Sequence, residues 1–230
     1  MEEIILIIYF LALSILFGFG IHGLILLYYY RKTQNNKIKE PELPKELPMV
    51  TIQLPLYNEY FVVERLIRSV CNIKYPKEKL EIQVLDDSTD ESQELCKSLV
   101  EEYKKKGFNI KYIHRTDRTG YKAGALKHGL ELAEGDFVAI FDADFVPNEN
   151  FLLKTIPYFS NPQIGMVQTR WEHLNEEYSY LTRAQALALD GHFVLEQQVR
   201  NKAGFFINFN GTAGIWRKSA IIDAGNWEPD

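Results

Sequence analysis

The sequence has no surplus of positive charge. Its 31 Asp and Glu outnumber 26 Lys and Arg, for a formal net charge of −5, which excludes a general nucleic-acid binder. Any anionic ligand must therefore be met by a local basic cluster. Cysteine is scarce: Cys71 and Cys96 are the 2 present. Both fall at apolar positions of predicted helices, which reads as buried thiols, not a disulfide or a metal site, and suits a reducing compartment. The 5 histidines show no metal-ligand spacing. Internal repeats and low-complexity tracts are missing too.

The longest absence is of charge itself. From Ile4 to Tyr30 no charged residue occurs, counting His22 as neutral. As a helix this stretch would be about 40 Å long, against about 30 Å for a bilayer core. It is too long for a signal-peptide core, and its front is acidic at Glu2 and Glu3. A single N-terminal transmembrane span over residues 4–30 is expected. Arg31, Lys32, Lys37 and Lys39 follow, so the positive-inside rule puts the remainder in the cytosol. Tyr28-Tyr29-Tyr30 reads as an interfacial aromatic belt. Gly18-Phe19-Gly20-Ile21-His22-Gly23 matches a dinucleotide-binding pattern, but no strand precedes it, and small residues there suit close helix packing.

Residues 31–48, with Pro41, Pro44 and Pro48, read as a juxtamembrane linker. Beyond it the apolar periodicity alternates. It predicts strands at 50–54, 82–85, 110–114, 137–141 and 165–170. It predicts helices at 61–73, 91–106, 122–133, 150–159 and 179–200. This alternation implies an α/β domain over residues 49–230, a mostly parallel sheet with helices on both faces.

Ligands bind at the carboxyl ends of strands in such sheets, and polar clusters recur there. Asp142-Ala143-Asp144 closes the apolar run Phe137–Phe141. Residues two apart on a strand point the same way, so two carboxylates are offered together. Hard divalent cations take such oxygens, and a diphosphate completes the shell. Helix capping alone also places Asp after a buried strand. Leu54-Pro55-Leu56-Tyr57-Asn58-Glu59 ends the first strand, either as a turn with a cap or as a seat for a base or ribose. Leu85-Asp86-Asp87-Ser88-Thr89-Asp90 ends the second. A carboxylate there can accept N3–H of uracil, or N1–H and the amino group of guanine. Arg115, Arg118 and Lys122 lie on a loop running into a helix N-terminus, with Gly120 and Gly124 permitting close backbone approach. They are either a solvated basic loop or a diphosphate cradle. Asn208–Arg217 is polar, glycine-rich and aromatic, a hairpin around a packed Trp or an acceptor surface. Its glycosylation sequon, Asn210-Gly211-Thr212, is idle on the cytosolic side. Gln168, Arg170 and Trp171 follow the next strand and could line the same cleft.

Taken in order, these motifs, with Val-Gln-Thr-Arg-Trp at 167–171 and Phe-Asn-Gly-Thr-Ala-Gly-Ile-Trp-Arg at 209–217, resemble family 2 glycosyltransferases. The branch is cellulose-synthase-like, similar to the glucomannan 4-β-mannosyltransferases. The resemblance spans roughly residues 49–230. It implies a GT-A (Rossmann-like) fold, a UDP-sugar or GDP-sugar donor, Mg²⁺ or Mn²⁺, and transfer of a hexose with inversion to a growing β-linked polysaccharide. By position it assigns the donor to Tyr57, Glu59, Asp86, Asp87, Arg118, Lys122 and Asp142, and the metal to Asp144 and Asp142. The acceptor goes to Trp171, Phe209, Asn210, Gly211, Thr212 and Trp216. The general base of the family, the Asp of a Thr-Glu-Asp motif shortly after Gly-Asn-Trp, has no counterpart following Gly225-Asn226-Trp227. It is expected beyond Asp230, in a C-terminal part missing here, which makes this an N-terminal portion that transfers poorly alone. Asp190, Glu196 and Glu228 are conceivable substitutes. Two other functions stay open: transfer to a membrane lipid acceptor, and a non-catalytic membrane-anchored nucleotide-sugar-binding or scaffolding module.

Overall fold

A computed structural model describes residues 2–35 and 40–228. Lys37 and Lys39 of the predicted basic flank, and Pro229 and Asp230, lie outside the described residues. The chain divides into two compact units: Met1–Lys39 with Arg170–Asn208, and Glu40–Thr169 with Phe209–Asp230.

In the second unit a six-stranded sheet has the order β3-β2-β1-β4-β6-β5. Its strands are β1 (Val50–Leu56), β2 (Leu80–Asp86), β3 (Asn109–His114), β4 (Phe137–Ile140), β5 (Met166–Gln168) and β6 (Gly214–Arg217). β1, β2, β3 and β4 pair in parallel, and β6 is antiparallel to both β4 and β5. The connecting helices are α2 (Val63–Cys71), α3 (Ser92–Lys105), α4 (Tyr121–Leu132) and the short α5 (Phe151–Thr155). The apolar residues of β1, β2 and β4 are covered on both faces: Val50, Ile52, Leu54, Ile82, Val84, Val138 and Ile140 are wholly buried. Each such side chain contributes about 1.5–3 kcal/mol to folding. Cys71 and Cys96 are buried free thiols, and burial pushes both up to about 12.

The mostly parallel sheet agrees with the expected pattern, and two details differ from it. The helix predicted at 150–159 breaks into α5 and a 3₁₀ turn, Ile156–Ser160, because Pro157 has no N–H to continue the α ladder. The segment 208–217, expected as a hairpin around a packed Trp or as an acceptor surface, supplies one strand, β6, which pairs with β4 and β5 instead of folding back on its own segment. Gly214 is obligatory in β6: a Cβ there would meet the Phe209 ring at 2.5 Å.

In the first unit, α1 (Glu2–Thr33) is long and apolar enough to cross a membrane. Its glycines 18, 20 and 23 lie within this continuous helix, with open space around each. The same unit holds a second helical run. α6 (Tyr180–Asp190) opens on a capping box between Ser179 and Thr182 and continues through a π-helical segment, Gly191–Gln197, into α7 (Gln198–Lys202).

Candidate functional site

Strand order sets the location. The connection from β1 runs to β2 on one side, while β4 lies on the other, so the sheet reverses direction between β1 and β4. A crevice opens at the carboxyl ends of two such strands. Here it is widened by chemistry. Register pairing of β1 with β4 stops at Gln53 and Ile140, and the last bond across is from the Phe141 N–H to the Gln53 carbonyl, 3.2 Å. Residues of a strand alternate sides, so Pro55 turns its missing N–H toward β4, where no partner strand is left to bond.

Four segments converge on this end. After β4, Asp142 is half-buried and receives an ion pair from Lys122 Nζ. Lys122 is the second residue of α4 and also donates to the Gly211 carbonyl at 2.9 Å. The Asp142 N–H donates to Thr212 Oγ1 at 3.0 Å. One cation therefore ties α4, the β4 end and the 208–213 loop together. After β1, burial, then the charges of Asp144 and Asp142, raise Glu59 above the usual carboxylate range. Glu59 thus lies within electrostatic range of both acids. Asp144 itself is exposed, and its carbonyl accepts from Arg65 at 3.3 Å. The Tyr57 ring carries the Arg118 guanidinium 3.3 Å from its centroid, and Arg118 Nε is buried without a partner.

After β2, Asp87 is 5 % exposed and gripped by both prongs of Arg115, Nε at 2.8 Å and Nη2 at 2.5 Å. Hydrogen bonding to Asp87 raises the Arg115 pKa further, and such bidentate pairs hold orientation as well as charge. Asp86 departs from its expected place at the ligand. It is wholly buried, with Oδ2 accepting from the Tyr112 hydroxyl at 2.7 Å and Oδ1 from the Ser88 N–H at 3.0 Å. Asp86, the last residue of β2, is held by Tyr112 and Ser88, while Asp87, one residue on, is buried as well and held by Arg115.

The loops that carry these groups are strained. Asn58 (φ 56°), Tyr121 (φ 46°) and Ala213 (φ 53°) hold positive φ without being glycine, at about 1–3 kcal/mol each. Asn58 bridges two loops: its N–H donates to Ser88 Oγ at 2.8 Å and its Oδ1 accepts from the Thr89 N–H at 2.9 Å. Gly124 is dictated by space, since a Cβ would lie 2.1 Å from the Thr119 carbonyl oxygen. α4 can start this close to its own loop only without a side chain there.

Of the residues expected at an acceptor, Asn210, Gly211 and Thr212 lie on the loop held by Lys122 and Asp142. The Asn210 N–H donates to Gln168 Oε1 at 3.0 Å. Phe209 and Trp216 do not present free faces. They meet edge to face at 5.5 Å, and Trp227 closes the group at 6.3 and 5.8 Å. This aromatic trio packs on the core cluster of Leu126, Val138 and Ile140, where apolar area is better placed than in water. Trp171 belongs to the first unit, against Phe193 and His173. The conceivable substitute bases are each engaged by a cation: Asp190 by Arg170, Glu196 by Arg200, and Glu228 by Lys127, with the His192 ring also 3.1 Å from Glu196. Arg65, Asn58 and the Arg115–Asp87 clamp went unassigned by sequence. Only Asn58 gave a local signal, as a residue type that tolerates the left-handed region.

Among the described residues no group of three or more His, Cys, Asp or Glu could hold a metal ion. The arrangement offers exposed and half-buried carboxylate oxygens beside a cation, which is a partial shell for a hard divalent ion.

A mostly parallel α/β sheet with acids at the point where its strand order reverses defines the class. The chain belongs to a particular family of it: residues 51–222 match the model of glycosyl transferase family 2. Glucomannan 4-beta-mannosyltransferase 1 of Cyamopsis tetragonoloba is 48% identical over 192 residues, covering 81% of this chain and 36% of the relative. Glucomannan 4-beta-mannosyltransferase 9 of Arabidopsis thaliana is 46% identical over 186 residues, 79% of this chain and 35% of the relative. The chain thus spans about a third of the length of these curated relatives. Among solved structures, the mannosyltransferase PcManGT from Pyrobaculum calidifontis, in complex with GDP-Man and Mn²⁺, superimposes with a TM-score of 0.75 at 26% identity. That match covers 95% of this chain and 59% of PcManGT, and it makes the fold GT-A-like.

Proposed function

We propose that this chain carries the donor-binding part of an inverting hexosyltransferase that takes mannose from GDP-mannose and adds it to a growing β-linked polysaccharide. The observation that carries the reading is the junction of Lys122, Asp142 and the Gly211–Thr212 loop at the end of β4. Names of the mannosyltransferase relatives and the ligands of PcManGT support the sugar and the nucleotide.

In this reading Asp87, held rigid by Arg115, accepts from the base. Tyr57 and Arg118 form its flank, and Arg118 reaches the diphosphate. Lys122 moves its charge from Asp142 to the leaving phosphate oxygens, where it stabilises charge that grows in the transition state. Asp144 and Asp142 would hold Mg²⁺ or Mn²⁺, which when bound would gather negative charge on the leaving diphosphate. Two protein carboxylates are too few for a closed site, which suits a metal bound together with its nucleotide. Asn210, Gly211 and Thr212 border the acceptor. α1 crosses the membrane with Arg31 and Lys32 on the cytosolic side, and the sheet unit is cytosolic.

Calorimetric titration of the purified chain with GDP-mannose and with UDP-glucose, each with Mn²⁺, tests the donor. Binding of GDP-mannose at least tenfold tighter than UDP-glucose is expected; binding of neither would reject the reading.

A further inference from the structure

The helical run of the first unit has an apolar side that none of the described residues of that unit covers. Its inner side is conventional: Ala186, Phe193 and Val199 are buried. On the outer side Tyr180, Leu181 and Leu187 are 91, 70 and 74 % exposed. At 3.6 residues per turn Tyr180, Ala184, Leu187 and Gly191 fall on one stripe, with Leu181 beside it. A helix apolar on opposite sides is made to be covered on both. The end of the run adds Phe205 and Phe206, the latter 95 % exposed.

A second observation says what covers this side. Phe205 meets Tyr29 edge to face at 5.2 Å, within the same unit. Tyr29 stands in the last turns of α1, beside Tyr28 and under Lys32, whose Nζ lies 5.9 Å from both rings. Tyrosines with a lysine reaching past them mark the headgroup level of a spanning helix. Phe205 is therefore at that level, and its neighbour Phe206 is free to enter lipid.

We propose that residues 180–206 lie on the bilayer surface, with Tyr180, Leu181, Leu187 and Phe206 set among the acyl chains and headgroups next to α1. The inference rests on α1 spanning the membrane.

The test uses the whole chain in nanodiscs of phosphatidylcholine and phosphatidylglycerol. Single nitroxide labels are placed through Leu187→Cys and Phe206→Cys. Phe61→Cys, 96 % exposed in the other unit, is the water reference, and Phe17→Cys on α1 is the lipid reference. Cys71 and Cys96 are buried thiols pushed up to about 12, so labelling at neutral pH spares them. The expected result is a ratio of oxygen to nickel-chelate collisions several-fold above Phe61→Cys at both positions. A ratio equal to that of Phe61→Cys overturns the proposal. So does exclusion of both reagents, which would mean that protein, including a second copy, covers the stripe. Lipid contact at Phe17→Cys with water contact at Leu187→Cys strikes this inference alone; water contact at Phe17→Cys strikes the spanning reading beneath it. Should a label disturb folding, Phe206→Trp with brominated lipids gives the same decision: quenching of the added indole supports the proposal, and its absence overturns it.

Discussion

The sheet carries polar residues at both ends of its central strands, and the two ends behave oppositely. Near the start of β1 and β2, Thr51 donates to Glu81 at 2.6 Å, Gln53 to Gln83 at 3.0 Å and Lys111 to Glu81 at 2.7 Å, and the Glu134 N–H donates to the same carboxylate at 2.8 Å. Glu81 is wholly buried with its oxygens occupied. α4 settles on this ladder because Gly129 has no side chain: a Cβ would lie 2.6 Å from Gln53 Nε2. At the other end, Asp142, Asp144 and Glu59 are partly open, the backbone is held at positive φ, and one lysine holds three segments. A ladder whose polar groups are paired, Gln53 Oε1 excepted, locks a helix in place, whereas crowded acids and strained loops leave a place for a ligand. The same α4 touches both ends, so the locked end aims the lysine of the open one.

The comparison can be broken from either side. The largest effect is expected from Glu81→Ala, which takes the acceptor from Thr51 Oγ1 and the Glu134 N–H and leaves Lys111 with Glu134 alone. Denaturant unfolding should show a loss of about 1–3 kcal/mol for each buried donor so orphaned, while the folded fraction keeps its affinity for GDP with Mn²⁺. Lys122→Met should do the converse. A lost hydrogen bond to a charged group is worth about 1.5–3 kcal/mol, so calorimetry should show GDP binding weakened by roughly 10–100-fold. Its ion pair is more than a third exposed, so the change in stability should stay below about 1 kcal/mol. If Lys122→Met unfolded the protein and Glu81→Ala abolished binding, the two ends would have been assigned the wrong way round. The smallest effect concerns pH. Hydrogen bonds from Lys111, then Asn109, hold Glu134 below its ordinary 4.5. A depressed carboxylate adds stability above its unfolded pKa and loses it as pH falls through the folded one. Wild type should therefore lose more stability than Glu134→Gln on going below pH 4.5, by a margin kept small because Glu134 is half exposed.

Sequence made the parallel strands legible because buried strands read as apolar runs, and Asp142–Asp144 and the Lys122 loop because strand ends and helix starts are where ligands bind. It could not show that Asp86 is held by Tyr112 and Asp87 by Arg115, since both partners lie far along the chain and meet the acids only through the β2–β3 pairing. Nor could it show that Phe209 and Trp216 pack together, because aromatic residues serve cores and sugar sites alike. The strand β6 was hidden by its glycine, whose reason is a ring lying across it. The ladder Thr51–Glu81–Lys111 was invisible because its members are far apart in the chain and meet only through register.

The central claim is that acids after β4 and the lysine at the head of α4 share one metal–nucleotide site that neither ligand completes alone. The direct measurement is a linkage cycle: GDP titrated with and without Mn²⁺, into the native chain and into Asp144→Ala. The account predicts that Mn²⁺ tightens GDP binding about 5–150-fold in the native chain and not in Asp144→Ala, with Mn²⁺ alone binding weakly to both. Equal tightening in the two proteins, or none in the native chain, would contradict it.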